Sequence, residues 1–163
     1  MSLRTTISVF QGLLAFGGAC IAGYSFIEKR QTGDVPCLVS GYTGCTAINN
    51  SAYSHIGPLD LSLLGAAAYI AILLLVVIKA TADKPSFVKW PTVLIAAMTT
   101  FGVTYSWWLQ YVAKYILNGF CINCRLSAIT MTLLFFLAII EVNFMRLDKA
   151  TQPTAESGYD PSI

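Results

Sequence analysis

Four long apolar segments constrain this chain more than any other feature of its sequence. Each is long enough for a helix to cross the hydrocarbon core of a bilayer, which takes about 20 residues. Backbone groups in lipid must pair internally, and the period-two alternation of barrel strands is absent, so the spans are expected to be helices. We therefore predict an all-α integral membrane four-helix bundle, with spans at about residues 6–27, 59–78, 92–117 and 121–145.

The composition agrees with a membrane protein. Of the 163 residues, 56% are hydrophobic and 11% are charged, and the mean hydropathy is +0.67. A soluble domain carries about 25% charged residues, so lipid must solvate much of this surface. The first segment has the charged start of a signal peptide, but it exceeds the usual apolar core of roughly 7–15 residues. We therefore expect four retained spans.

Lysine and arginine residues are distributed unevenly between the connections. With the N-terminus inside, six of the ten lie on the cytoplasmic side, namely Arg4, Lys79, Lys84, Lys89, Arg146 and Lys149. This bias predicts that both termini lie in the cytoplasm. Residues 1–149 are expected to form the transmembrane domain, and residues 150–163 a mobile cytoplasmic tail. Glu141, near the inner end of the fourth span, is expected to pair with a cation next to that tail.

Four of the five cysteines fall on the predicted outer side, where oxidation is permitted. Cys37 and Cys45 lie in the long extracytoplasmic loop between the first two helices, and Cys121 and Cys124 open the fourth helix. Cys20 lies within the first span, where a free cysteine usually serves as an apolar packing residue. The four outer cysteines are therefore the candidates for chemistry.

The motif CINC at a helix start favours redox chemistry. Amide donors at a helix N-terminus stabilise a thiolate, and the neighbouring cation of Arg125 is expected to add to this effect. Alternatives remain at this stage: either cysteine pair on its own is also compatible with a stabilising disulfide. A zinc site made of all four cysteines is weakly disfavoured, because structural zinc ligands usually come in two closely spaced doublets and the eight-residue spacing of Cys37 and Cys45 is wide for a doublet.

Together the two pairs suggest a relay that ends in the membrane. A flexible loop pair can exchange with a soluble thiol protein and then with a fixed pair at the membrane edge. A quinone is the natural acceptor, because it is apolar and takes two electrons and two protons. Tyr105, Trp108 and Tyr111 cluster towards the outer end of the third helix. They fit either an interfacial aromatic belt or the lining of a ring-binding pocket.

The ordered motifs resemble those of the vitamin K epoxide reductase family, most closely its bacterial and archaeal members. The motifs are CLVSGYTGC at residues 37–45, Ser51, GPLDLSLLGAAAY at residues 57–69 and CINC at residues 121–124. The resemblance covers roughly residues 6–145. The DsbB-type disulfide-forming family carries its CxxC in the first outer loop, so the reversed order here favours the vitamin K epoxide reductase type.

The resemblance implies roles for individual residues. Cys121 and Cys124 match the active pair, with Cys124 nearest the quinone, and Cys45 of the loop pair is expected to exchange with Cys121. Ser51 is expected to position the loop or to support the redox site. Asp60 is either a helix N-terminal charge or a residue that faces the quinone.

The resemblance also narrows the cofactor and the partner. Vertebrate members carry a tyrosine four residues after the second cysteine of CxxC, where this chain has Ala128. Ubiquinone or menaquinone is therefore expected rather than vitamin K epoxide. Many bacterial members carry a fused thioredoxin domain, for which the residues after Met145 are too few. We therefore expect a member without that domain, in the inner (cell) membrane, with a separate thioredoxin-like periplasmic partner and a role in disulfide bond formation. The alternative is a non-catalytic accessory subunit of a larger membrane complex, with structural disulfides only.

Overall fold

The protein is a bundle of long helices, and the connection between the first two contains a short helix and a small hairpin. The computed structural model describes residues 3–39, 44–82 and 85–151. Within them, four helices are long and apolar enough to cross a membrane, which confirms the predicted fold class. The long helices are α1 (Leu3–Thr32), α3 (Leu61–Thr81), α4 (Pro85–Tyr115) and α5 (Ile122–Thr151), and a short helix α2 covers Cys45–Asn49. The part of the expected tail beyond Thr151 lies outside the described residues.

The second span begins later than predicted because the chain before it forms a small hairpin. After a 3-10 turn at Ala52–Ser54, strand β1 (His55–Ile56) pairs antiparallel with strand β2 (Leu59–Asp60). Gly57 has a φ of 61°, which glycine adopts at little cost, and it allows the tight reversal. The hairpin lies between α2 and α3 and leads the chain back into the bundle.

The bundle core is held by close helix contacts at small residues. α1 packs against α3 and α5, and α4 packs against α3 and α5. The ring of Tyr69 on α3 lies against Gly18 of α1, where a Cβ atom would come within 2.3 Å of it. The Tyr69 hydroxyl donates to the backbone oxygen of Ser127 on α5 at 2.9 Å. Small residues at such contacts are how membrane helices approach closely, and here one aromatic ring joins three helices.

The outer faces of the helices are apolar, as expected for contact with lipid. Large hydrophobic side chains are exposed on all four long helices, including Phe10, Phe16, Leu74, Phe101 and Phe136. Such a surface would be an aggregation hazard in water. Lipid tails are as apolar as these side chains, so the hydrophobic effect does not decide which helix faces form the core. Close packing at small residues and buried polar contacts must hold the helices together instead.

A buried ion pair joins three helices at the end of the bundle opposite the cysteines. Lys79 of α3 donates to Glu141 of α5 at 2.7 Å and to the side-chain oxygen of Gln11 of α1 at 2.6 Å. Lys79 and Glu141 are each only 5% exposed. The expectation that Glu141 pairs with a cation next to the tail is therefore wrong, and Lys79 is not a free loop cation. A charged side chain within a span needs a partner inside the bundle, and here Lys79 and Glu141 are each other's partner.

Gly18→Ala is expected to destabilise the bundle, because its methyl group would overlap the Tyr69 ring, which Ser127 holds in place. Overpacking of this kind costs about 1–3 kcal/mol. Thermal unfolding in detergent should therefore show a lower midpoint. Gly17→Ala is the matched control, since nothing lies within 4 Å of a Cβ atom there. Equal midpoints for the two variants would contradict the close contact.

Lys79→Met is expected to destabilise the protein strongly, because it leaves the Glu141 carboxylate buried without its cation. Breaking one side of a buried pair costs about 3–5 kcal/mol, whereas replacing both partners with apolar or neutral groups is often tolerated. Unfolding in detergent should therefore show that Lys79→Met with Glu141→Gln recovers most of the loss. A double variant no more stable than the single one would count against this role of the pair.

Candidate active site at the cysteine end of the bundle

The helix α5 begins at a sharp turn that presents CINC to the rest of the site. Asn118 adopts a φ of 46°, and Cys121 lies immediately before α5, with its carbonyl oxygen accepting the backbone N–H of Arg125 at 3.1 Å. The Cys121 sulfur accepts the backbone N–H of Cys124 at 3.2 Å. A side chain that accepts from an otherwise unpaired amide of the first turn is the usual arrangement of a helix N-cap.

This position favours a thiolate at Cys121. A hydrogen bond from the Cys124 thiol lowers the pKa of Cys121, although burial opposes it, and the backbone amides of Cys124 and Asn123 and the side chain of Asn49 lower it further. Amides at the N-terminus of α5 are thus among the donors that lower the pKa of Cys121, as expected from the position of CINC. The Arg125 guanidinium lies 5.4 Å from the centre of the Phe120 ring, a cation–π contact rather than a contact with the sulfur.

The loop pair is oxidised and lies directly against the helix pair. Cys37 and Cys45 form a disulfide, and Cys121 and Cys124 are free thiols. Cys45 is 1% exposed and Cys121 is 3% exposed, and both belong to one buried cluster with Val35. The two cysteine pairs, far apart in sequence, thus meet at one end of the bundle. Among the described residues, no group of three or more His, Cys, Asp or Glu side chains is arranged to hold a metal ion.

A close backbone approach brings the loop to this cluster. Gly44 has a φ of 114° and precedes α2, which begins at Cys45. A Cβ atom at Gly44 would lie 3.1 Å from the carbonyl oxygen of Phe120, just before CINC. Glycine is therefore required twice here, for its backbone conformation and for the contact with the start of α5.

Asn123, between the two cysteines of CINC, fastens the other side of the loop. Its side-chain oxygen accepts the backbone N–H of Leu38 at 2.9 Å, and its nitrogen donates to the Pro36 carbonyl at 3.2 Å. These bonds hold the backbone on both sides of Cys37. This role of Asn123 was not predicted from the sequence, where its only signal is an amide between two cysteines at a membrane surface.

A polar cluster attaches the hairpin to the last turn of α1. Lys29 donates to the Asp60 carboxylate and to the Asn49 carbonyl, both at 2.7 Å, and lies 3.1 Å from a ring nitrogen of His55. His55 in turn lies 2.7 Å from Asp60. The hydrogen bond from Lys29 holds the pKa of Asp60 below its usual value, although desolvation opposes this. Asp60 thus fixes the hairpin on α1.

Ser51 lies in the turn after α2 and supports the loop. Its hydroxyl donates to the Ile48 carbonyl at 2.7 Å, and its own carbonyl accepts from the Ser54 hydroxyl at 2.8 Å. Ser51 and Cys124 also line one small cavity of about 40 Å³. Ser51 therefore lies near Cys124, while its hydroxyl is hydrogen-bonded to Ile48.

A larger cavity of about 360 Å³ runs between the four long helices, with Cys124 in its wall. Its lining is mostly apolar and aromatic, and it includes Met98, Phe101, Tyr105, Tyr69, Leu109 and Met131. Its polar lining comes from a few side chains, among them Asn49, Ser62, Ser127 and Gln110. A mostly apolar cavity lined by a few polar side chains is typical of a site for a small apolar ligand.

The aromatic residues named from the sequence are divided between this cavity and the surface. Tyr105 lines the cavity and also an adjoining groove, which it shares with Trp108. Tyr111 is 59% exposed and packs beside Tyr115, with ring centres 4.9 Å apart. The wall of the large cavity includes neither Trp108 nor Tyr111, and Asp60 lies in the Lys29 cluster. A role for these three residues in binding a cofactor stays a prediction.

Comparison with known proteins agrees with this geometry. The sequence model of the vitamin K epoxide reductase family matches residues 9–139, which is well over half of the chain and includes both cysteine pairs. A comparison with curated proteins gave no match. Members of the matched family are thiol–disulfide oxidoreductases that use quinones. The chain therefore belongs to the vitamin K epoxide reductase family.

Proposed function

We propose that this protein passes electrons from a thioredoxin-like partner through Cys37 and Cys45 to Cys121 and Cys124, and on to a membrane quinone. The observation that carries the proposal is the single buried cluster in which Cys45 packs with Cys121, while Cys124 lies in the wall of the apolar cavity. The sulfurs are thus in the order that a relay from loop to membrane requires. The net result is one new disulfide in the partner, and hence support for disulfide bond formation.

The first exchange occurs at the loop pair. Cys37 is the more accessible residue of the pair, since it is half-buried whereas Cys45 is buried. A partner thiolate therefore attacks Cys37, and Cys45 leaves as a thiolate. The partner's second thiol then displaces Cys37, so that the partner departs with a disulfide and the loop pair becomes a dithiol. The exposed side chains of Leu38 and Val39, next to Cys37, offer an apolar contact for that partner.

The second exchange carries the two electrons to the helix pair. The Cys45 thiolate attacks Cys121 of an oxidised Cys121–Cys124 pair, and Cys124 leaves as a thiolate. The Cys37 thiolate then attacks Cys45, which restores the loop disulfide and releases Cys121. The result is the state that the structure shows, with a loop disulfide and a helix dithiol.

The cavity beside Cys124 is where a quinone fits. A quinone bound there supplies an acceptor for two electrons and two protons. Cys124 lies in the wall of that site, and the side chains of Met98, Phe101 and Met131 provide apolar contacts for a ring. Ubiquinone and menaquinone are both compatible with this lining.

The relay also implies a location. We infer a multi-pass protein of the inner (cell) membrane, with its termini in the cytoplasm and its cysteine pairs on the outer side. The uneven distribution of lysine and arginine supports this orientation, although Lys79 no longer contributes to it because it is buried in an ion pair.

Cys124→Ser is expected to abolish quinone reduction while leaving the fold intact, because the serine hydroxyl cannot form a disulfide with Cys121. The measurement is anaerobic reduction of a water-soluble quinone analogue by purified protein with dithiothreitol. Cys20→Ser is the matched control, since Cys20 is a free cysteine on the exposed surface of α1. If the wild type reduces no quinone and both pairs stay oxidised, the accessory-subunit alternative holds instead.

A chain that retains only Cys45 and Cys121 of the four site cysteines is expected to form a Cys45–Cys121 disulfide on mild oxidation, because the two residues share a buried cluster. Mass spectrometry of peptides under non-reducing conditions measures the linked fraction, with Cys20 replaced throughout. The comparison chain retains Cys37 and Cys121 instead. Equal linkage in the two chains would argue against Cys45 as the exchanging residue.

A further inference from the structure

Asn49 is a buried amide that lies between the two cysteine pairs. It ends α2, which begins at Cys45, and only 8% of it is exposed. Its side-chain nitrogen donates to the Cys45 carbonyl oxygen at 2.9 Å and to the Cys121 sulfur at 3.9 Å. One side chain thus contacts the backbone that carries the loop disulfide and the sulfur that exchanges with it.

The orientation of this amide is fixed by its neighbours. The hydroxyl of Ser62, in the first turn of α3, donates to the Asn49 side-chain oxygen at 3.2 Å. The Cys45 carbonyl oxygen can only accept a hydrogen bond, so the side-chain nitrogen faces Cys45 and Cys121, and the side-chain oxygen is left to accept from Ser62. Lys29 and the Ser54 hydroxyl donate to the backbone carbonyl of Asn49 and hold the residue in place.

Asn49 lines the large cavity, yet its donors are already used. An asparagine has two N–H hydrogens, and here two acceptors match them, the Cys45 carbonyl and the Cys121 sulfur. A ligand in the cavity would have to displace one of these bonds to receive a hydrogen bond from Asn49. The contact with sulfur is therefore the role that the geometry supports.

We propose that Asn49 is a further catalytic residue, which donates a hydrogen bond to the Cys121 thiolate while this sulfur exchanges with Cys45. The proposal rests on the proposed function of the two pairs. When Cys37 attacks Cys45 in the mixed disulfide, the Cys45–Cys121 bond breaks and Cys121 takes the electron pair. The charge develops on the sulfur of a residue that is only 3% exposed. A buried thiolate needs donors already in position, and Asn49 adds one to the backbone amide of Cys124.

The test is the pH dependence of Cys121 alkylation in the reduced protein. Iodoacetamide reacts with the thiolate, so the rate rises with pH as Cys121 deprotonates. Removing a donor from the thiolate raises the pKa of Cys121, and Asn49→Leu is therefore expected to move the midpoint upwards by about half to one pH unit. Mass spectrometry assigns the label to Cys121 rather than to Cys124.

Asn50→Leu is the matched control. Asn50 is the exposed neighbour, and its side chain donates to the Gly33 carbonyl at 3.0 Å, away from the sulfurs. Its profile should coincide with that of the wild type. Ser62→Ala removes the hydroxyl that donates to the Asn49 side-chain oxygen, so the amide is held less firmly. The midpoint of Cys121 alkylation is expected to move upwards in this variant too, but by less. If Asn49→Leu does not fold, Ser62→Ala alone decides the outcome.

Failure of this proposal can be told apart from failure of the proposed function. An unshifted midpoint in Asn49→Leu, or in Ser62→Ala where that variant decides, overturns the role of Asn49 even if the wild type reduces quinone. A wild type that reduces no quinone contradicts the relay, and an upward shift in Asn49→Leu would still establish the hydrogen bond to the Cys121 thiolate.

Discussion

The site depends on one packing contact, the burial of Cys45 and Cys121 in the same small cluster. Thiol exchange requires that an attacking sulfur reach the sulfur it attacks, and these two residues are separated by nearly half the length of the chain. The contact is possible because Gly44 lets the loop backbone approach the Phe120 carbonyl, and because α2 starts at that point. Exclusion of water from the cluster also strengthens each hydrogen bond to the Cys121 sulfur.

The surrounding polar residues serve this contact from two sides. Asn123 holds the backbone on both sides of Cys37, and Lys29 joins the end of α2 to the hairpin through Asn49 and Asp60. The long helices contribute the cavity behind Cys124. The loop is thus held beside Cys37 and at Asn49, on either side of the Cys37–Cys45 disulfide. We expect this disulfide to open and close while Cys45 keeps its position.

Much of the fold could be predicted from the sequence, because lipid requires long apolar helices whatever their partners. Hydropathy found all four spans, with errors at their ends such as the hairpin that delays α3 to Leu61. The pairing of Lys79 with Glu141 could not be predicted, since it depends on which helices are neighbours. The four cysteines could be found from their spacing. Asn49 and Asn123 were missed, because their contacts also depend on which elements are neighbours in the fold. Amides carry no motif, and their roles arise only from three-dimensional contacts.

The central claim is that electrons move from the loop pair to the helix pair. It is tested most directly by treating the fully oxidised protein, without quinone and without oxygen, with just enough reduced thioredoxin-like protein to supply two electrons. Acid quenching and alkylation then locate the new thiols by mass spectrometry. If electrons pass from the loop pair to the helix pair, thiols are expected at Cys121 and Cys124, with the Cys37–Cys45 disulfide restored. Thiols that remain at Cys37 and Cys45, with Cys121 and Cys124 still oxidised, would contradict the relay.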